Sequence, residues 1–145
     1  MWKIRRLDEL STREWYDITK LRVDTFVVEQ QCAYPEIDDK DLTALHVTNF
    51  DDDLKAYARI IEGDDIYIGR VIVNQHFRGR GLSRELMNCC LDYIDEHYPD
   101  KTVKLQGQAH FADFYRSYGF KDTSVIYFED MIPHVDMERL YEKNL

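Results

Sequence analysis

The chain is 145 residues long, 44% hydrophobic and 13% aromatic, with a formal net charge of −9. That is enough apolar material for one packed domain and too much for a disordered chain. The acidic balance excludes a nucleic-acid binder, whose affinity rests on basic surface. No apolar run approaches the roughly 20 residues of a membrane span.

The first residues, Met1 to Arg6, carry positive charge without the apolar stretch that a secretory signal needs behind it. Three cysteines, Cys32, Cys89 and Cys90, cannot all pair with one another, and Cys89 and Cys90 point in different directions if helical. These features predict a reduced, cytoplasmic protein in which Cys90 is a small core residue and Cys32 is structural. No CxxC or HExxH spacing predicts a metal.

In chain order, residues 2–6 alternate weakly as a short strand. Ser11-Thr12-Arg13-Glu14 is a capping box. It opens a helix with Trp15, Ile18, Leu21, Phe26 and Val27 on its apolar face, breaking near Val27-Val28 into a further turn. Residues 31–43 predict a loop, Leu45–Phe50 a strand and Asp51-Asp52-Asp53 a turn. Leu54–Ile61 alternates as a strand, and Glu62-Gly63-Asp64-Asp65 makes a hairpin turn. Ile66–Val73 predicts a longer strand, with Gly69 marking a bulge or a close backbone approach. A helix from about Ser83 to His97 sets Leu82, Leu86, Met87, Cys90, Leu91 and Ile94 on one core face. Thr102–Leu105 predicts a strand. Phe111, Phe114, Tyr115 and Tyr118 mark a short helix closed by Gly119. Val125–Glu129 and His134–Leu140 predict a terminal hairpin around Met131-Ile132-Pro133. Trp2 and Trp15 are expected in the core. The order predicts one mixed α/β (α+β) domain over residues 1–145.

The segment richest in chemistry is Val71-Ile72-Val73 followed by Arg78-Gly79-Arg80-Gly81-Leu82-Ser83 and Arg84. An apolar strand feeds a loop of glycines and arginines that opens a helix. The glycines admit a ligand close to the backbone. The first helical amides lack partners and the helix dipole is positive there, so an anion is favoured. Charge patterning agrees. Residues 29–65 hold eleven acidic residues against three basic ones, whereas residues 66–84 hold four arginines and no acid. A basic island in an acidic chain predicts one specific anion rather than a polyanion.

These residues resemble the GNAT superfamily of acetyl-CoA-dependent N-acetyltransferases. Val71-Ile72-Val73 with Arg78-Gly79-Arg80-Gly81-Leu82-Ser83 is similar to its pyrophosphate-binding motif. Phe114-Tyr115-Arg116-Ser117-Tyr118-Gly119-Phe120 is similar to its second signature, an aromatic pair on a short helix followed by Gly-Phe. Within it, the ElaA-like subfamily is resembled by Phe26-Val27-Val28-Glu29-Gln30, Tyr34-Pro35-Glu36-Ile37-Asp38, Ala56-Tyr57-Ala58-Arg59-Ile60 and Glu129-Asp130-Met131-Ile132-Pro133-His134. Two residues depart from the pattern. Ser83 stands where Gly or Ala is usual; its hydroxyl would donate to phosphate or cap the helix. Met131 stands where a Gly would ease the last hairpin turn.

The resemblance implies a mixed, mostly antiparallel sheet of about seven strands, splayed at strands 4 and 5, with about four helices. It implies acetyl-CoA as co-substrate, an amine of a small molecule or peptide as acceptor, and no metal. The phosphates would lie on Arg78, Gly79, Arg80, Gly81, Leu82, Ser83 and Arg84. Freed backbone amides at Val71, Ile72 and Val73 would bind the pantetheine arm and polarise the thioester carbonyl. Tyr115 would protonate the leaving thiolate; a phenol with pKa about 10 keeps its proton at neutral pH. No carboxylate stands in Ile66–Val73, so the base is left among Glu29, His46, His110, His134 and water. His110 could alternatively contact the cofactor.

Other readings stay open. The fold could serve as a non-catalytic acyl-CoA-binding or regulatory module. The acidic stretch either attracts a cationic amine or is a solvated surface, and Asp38, Asp39 and Asp41 could hold calcium. Edge pairing of the terminal hairpin leaves monomer and homodimer both open.

Overall fold

The computed structural model describes residues 1–140; residues 141–145, the end of the expected domain, lie outside the described residues. Its strands are β1 (Trp2–Arg5), β2 (Leu45–Phe50), β3 (Leu54–Ile61), β4 (Ile66–Val73), β5 (Val103–Gln108), β6 (Lys121–Asp122), β7 (Tyr127–Glu129) and β8 (Ile132–Arg139). They form one sheet in the order β1-β2-β3-β4-β5-β8-β6, with β7 also on β8. Every pairing is antiparallel except β4 with β5. The helices are α1 (Thr12–Arg22), α2 (Leu82–His97) and α3 (Ala112–Arg116), and α1 continues into a π-helical segment, Val23–Glu29. The expected break near Val27-Val28 is absent: the helix instead widens to π geometry at Val23 and runs on to Glu29.

The Ser11–Glu14 capping box forms as expected: Ser11 Oγ accepts from the Glu14 amide at 3.0 Å, and Glu14 accepts from the Ser11 amide at 3.0 Å. All six expected side chains of α2 are buried. They close a core with Val47, Ala56, Ala58, Ile60 and Ile68, and each contributes roughly 1.5–3 kcal/mol by leaving water. On the other sheet face, Ile18 of α1 packs with Leu54, Tyr57 and Ile72, flanked by Trp15 and Phe26. β3 is therefore covered on both sides, and its alternate residues Tyr57 and Arg59 are buried rather than solvated. Cys90 is a core residue, and Cys32 is buried beneath the hairpin, with its thiol 3.6 Å from the Asp130 carbonyl.

Two features of the sheet matter for function. The β3–β4 register passes from Tyr57↔Ile72 to Arg59↔Gly69, which leaves Arg70 and Val71 opposite Ala58. The bulge expected near Gly69 is thus present, but the left-handed residue in it is Arg70, at φ 56°. β4 and β5 then pair only at Ile66↔Val103 and Tyr67↔Lys104 before parting, which is the expected splay.

Three details differ from expectation. β6 is an eighth strand of two residues, too short to leave a period in the sequence. β5 runs three residues past Leu105, because Gln106-Gly107-Gln108 has the extended geometry without the apolar signature. Ser83 lies inside α2, whose N-cap is Gly81, so its hydroxyl does not cap the helix.

The last hairpin turns through Asp130 and Met131 at φ 50° and 67°. Left-handed backbone costs a residue with a Cβ roughly 1–2 kcal/mol. Met131 is 92% exposed and gives up no packing when removed. Met131→Gly is expected to stabilise the domain by about 0.5–1 kcal/mol, net of the greater freedom of glycine in the unfolded chain. A thermal melt would show a rise of about 2 °C.

Candidate active site

A cleft of about 1780 Å³ opens where β4 and β5 part. Val71, Ile72 and Val73 line one wall, and Arg78 and Ser83 border it at the start of α2. The loop between is shaped by Gly79 and Gly81, at φ 80° and 78°, positions that only glycine occupies without strain. The first backbone bond into α2 is Glu85 N–H to Gly81 O, so the amides of Leu82, Ser83 and Arg84 have no helical partner. Gly79, Arg80, Gly81, Leu82 and Arg84 do not line the cleft itself.

The basic island is smaller than its residue count. Arg70 is held by Glu36, and Arg78 is 3.2 Å from Glu29 while its Nε donates to the Val73 carbonyl. Arg80 and Arg84 have no carboxylate partner among the described residues; they lie over the rings of Phe77 and Tyr118, at 5.5 and 5.9 Å. These two arginines and the open helix start are what the loop offers an anion.

Tyr115 stands on α3 across the cleft. It is 7% exposed and its hydroxyl makes no hydrogen bond among the described residues. Burial, reinforced by the nearby Cys90, pushes the phenol up to about 12, so it holds its proton firmly. Phe114 and Phe120 meet the ring edge-on at 5.4 and 6.3 Å. Tyr118 ties the end of this helix to α2 through its hydroxyl, which donates to the Arg84 carbonyl at 3.2 Å.

The ring packs on Gly107 of β5, where a Cβ would meet its Cδ2 and Cε2 at 3.1 Å and Leu105 at 3.3 Å. Gly107→Ala is expected to force the ring aside and to cost about 1–3 kcal/mol, as overpacking does. Urea denaturation would measure it.

The four candidate bases separate. Glu29, His110 and His134 line the cleft. His134 Nδ1 is engaged with the Ile132 carbonyl at 2.8 Å. His46 does not line the cleft: it is fully buried, with Nδ1 2.6 Å from the Tyr57 hydroxyl and Nε2 3.0 Å from the Asp41 carbonyl. A carbonyl only accepts, so Nε2 carries the hydrogen and Nδ1 accepts from Tyr57. Burial lowers its basicity further. His46 is a structural residue.

The acidic stretch divides: Asp39, Asp51, Asp52, Asp53 and Asp64 are exposed, whereas Glu36 and Asp41 are buried. Asp38 and Asp41 are bound to Arg59, and Asp41 also to Arg22, so they are paired with cations rather than gathered around one. Among the described residues no group of acidic, His or Cys side chains could hold a metal. Sequence reading missed this network because its partners lie 14 or more residues apart along the chain, although Arg22 follows Ile18 by four residues on the apolar face of α1, a spacing that could have exposed it. It also missed Gln30 and Gln108, which meet across the cleft at 3.2 Å.

A family model described as "Acetyltransferase (GNAT) domain" matches residues 14–141. The chain belongs to the GNAT acetyltransferase family. It is 43% identical to protein ElaA of Escherichia coli (strain K12), over 95% of both chains. It is also 43% identical to a UPF0039 protein of Schizosaccharomyces pombe, over 90% of both. The crystal structure of E. coli ElaA superposes with a TM-score of 0.91 at 40% identity, covering 96% of this chain and 98% of that one. The crystal structure of an acyl-CoA N-acyltransferase from Pseudomonas aeruginosa does so with a TM-score of 0.91 at 36% identity and the same coverage. The GNAT fold accounts for the parted β4 and β5 and for the glycine loop at the head of α2. No described helix is long and apolar enough to cross a membrane.

Proposed function

We propose that this GNAT protein is an N-acetyltransferase that moves an acetyl group from acetyl-CoA to a primary amine of a small molecule or peptide. The observation that carries the reading is the convergence of three unrelated segments on one cleft: the bulged β4, the open start of α2 and the buried Tyr115.

Each segment answers a demand of the reaction. Unpartnered amides of Leu82, Ser83 and Arg84, with Arg80 and Arg84 beside them, bind the pyrophosphate. Ser83 adds a hydroxyl. Arg78 turns from Glu29 to the phosphates. An amide of the Val71–Val73 segment donates to the thioester oxygen as it becomes an oxyanion. The amine attacks directly, the C–S bond breaks, and Tyr115 gives its proton to the departing sulfur. The ammonium proton passes to Glu29, His110, His134 or water. The three thiols, unpaired among the described residues, suit a cytoplasmic setting.

Release of free thiol from acetyl-CoA with a panel of polyamines, aminoglycosides, lysine and peptide amines tests the reading. Amine-dependent release supports transfer. A second reading, an acyl-CoA-binding module without catalysis, is favoured by the lack of any carboxylate on β4. It predicts a raised Tm with acetyl-CoA and no release with any amine.

A further inference from the structure

We propose that Glu36, acting through Arg70, is a positioning residue that sets the β4 bulge and so aims the Val71 amide at the thioester carbonyl. The inference rests on the acetyl-CoA reading above and concerns how this chain builds that part of the site.

Arg70 is the one described residue of β4 at positive φ, a conformation unfavourable for any side chain with a Cβ. Something must hold it there. Its guanidinium is gripped twice by a single residue of the loop before β2: Nε donates to Glu36 Oε2 at 2.8 Å, and a terminal nitrogen donates to the Glu36 carbonyl at 3.1 Å. The Tyr34 ring lies 5.7 Å beneath the guanidinium.

Glu36 is itself immobilised. It is 3% exposed. Arg22 donates to its Oε2 at 2.7 Å and to its carbonyl at 2.9 Å, and the Tyr34 hydroxyl bonds its other carboxylate oxygen. Arg22, fully buried on α1, is fixed in turn by Asp41 at 2.7 and 3.1 Å. A rigid chain of charge-assisted bonds thus runs from α1 through Glu36 to the guanidinium of Arg70, whose side chain holds the backbone that carries it.

The consequence falls on the next residue. Arg70 and Val71 share the place opposite Ala58, which interrupts the β3 ladder, and β5 has already left the other side of β4. Val71 lines the cleft at that point. If Arg70 relaxed to ordinary extended backbone, the bulge would shift and the amide would turn with it. Arg70 also borders the cleft, so direct contact with a substrate is the rival account.

Glycine separates the two accounts. It accepts positive φ freely, so Arg70→Gly keeps the bulge without the clamp, whereas Arg70→Ala removes the clamp and keeps the strain. The measurement is the ratio of acetyl-CoA to CoA affinity by calorimetry, because only acetyl-CoA has the carbonyl. Arg70→Ala is expected to shift the ratio against acetyl-CoA by roughly five- to tenfold, the worth of one amide–carbonyl bond. Arg70→Gly is expected to restore it to within about twofold. Glu36→Gln should reproduce the alanine shift, and adding Arg70→Gly should cancel it. Melting temperatures confirm that each variant is folded, and the Arg70 pair decides the matter if Glu36→Gln does not fold. An unchanged ratio in Arg70→Ala, or a glycine variant as impaired as the alanine one, overturns the proposal. Wild-type protein that binds neither ligand overturns the donor reading itself.

Discussion

Tyr115→Phe is expected to lower kcat for acetyl transfer by about 10²–10⁴, the range for loss of a positioned proton donor. The same variant should bind acetyl-CoA as wild type does, because the phenol hydroxyl has no protein partner to lose among the described residues and the ring stays seated on Gly107. The pH profile gives a second check. The folded phenol lies at about 12, above the ordinary 10, because burial disfavours the phenolate. It therefore remains an acid throughout neutral and mildly alkaline pH, and no loss of rate from this group appears until the pH nears 12. Its contribution to stability is complete below about 10 and fades as the pH rises through the folded value. Thiol-release kinetics from pH 6 to 10 should show no loss of rate from this group, and thermal melts from pH 9 to 12 would show the loss of stability. A Tyr115→Phe enzyme with wild-type kcat ends the general-acid role.

Arg22→Met is expected to destabilise the domain by about 3–5 kcal/mol, because it takes one of two arginine partners from each of two buried carboxylates, Glu36 and Asp41, at 3% and 2% exposure, and leaves them half-paired, Glu36 with Arg70 and Asp41 with Arg59. Domains of this kind hold only about 5–15 kcal/mol in total, so the urea midpoint should fall by roughly a fifth or more. The sign with pH follows from Asp41. Burial pushes its carboxyl up, but its bonds to Arg22 and its proximity to Arg59 outweigh that and hold it below the usual range. In wild type its contribution is present above about pH 4 and is lost as the pH falls further. In the variant burial is no longer outweighed to the same degree, the folded carboxyl takes up its proton more readily, and acid relieves the half-paired charge. The deficit of Arg22→Met relative to wild type should narrow between pH 7 and pH 4. A deficit that stays constant over that interval shows that lost packing, rather than half-paired charge, is its source.

Much of the fold was legible because it is local. Ser11 and Glu14 close a capping box within four residues. The six apolar side chains of α2 recur at the helical period and all reach the core. Gly79 and Gly81 mark a loop that needs left-handed backbone, and both are left-handed. The strands β2, β3 and β4 begin and end where expected, β3 by its period of two. β5 was read short because its last residues, Gln106-Gly107-Gln108, carry no apolar signal: Gln106 and Gln108 line the cleft, and Gly107 is left bare beneath Tyr115. β6 was missed because two residues hold no period.

The candidate site divides along the same line. The glycine-arginine loop and the Phe114-Tyr115 pair are written in consecutive residues, and so they named the family. The charges around them are not. Arg70 and Arg78 read as part of an anion site, yet Glu36 and Glu29 hold them from 34 and 49 residues away. His46 read as a candidate base, yet Tyr57 and Asp41 enclose it.

By itself, then, the sequence determined most of the elements, the core face of α2, the left-handed glycine loop and the GNAT family, since periodicity, capping and turn chemistry depend on near neighbours. The tertiary structure alone decided which charges are free and which are spent, where β4 breaks its ladder, and that Tyr115 reaches the cleft with an unshared hydroxyl. Those properties depend on partners brought together across the sheet, and electrostatic pairing and burial are set by distance in space rather than by order along the chain.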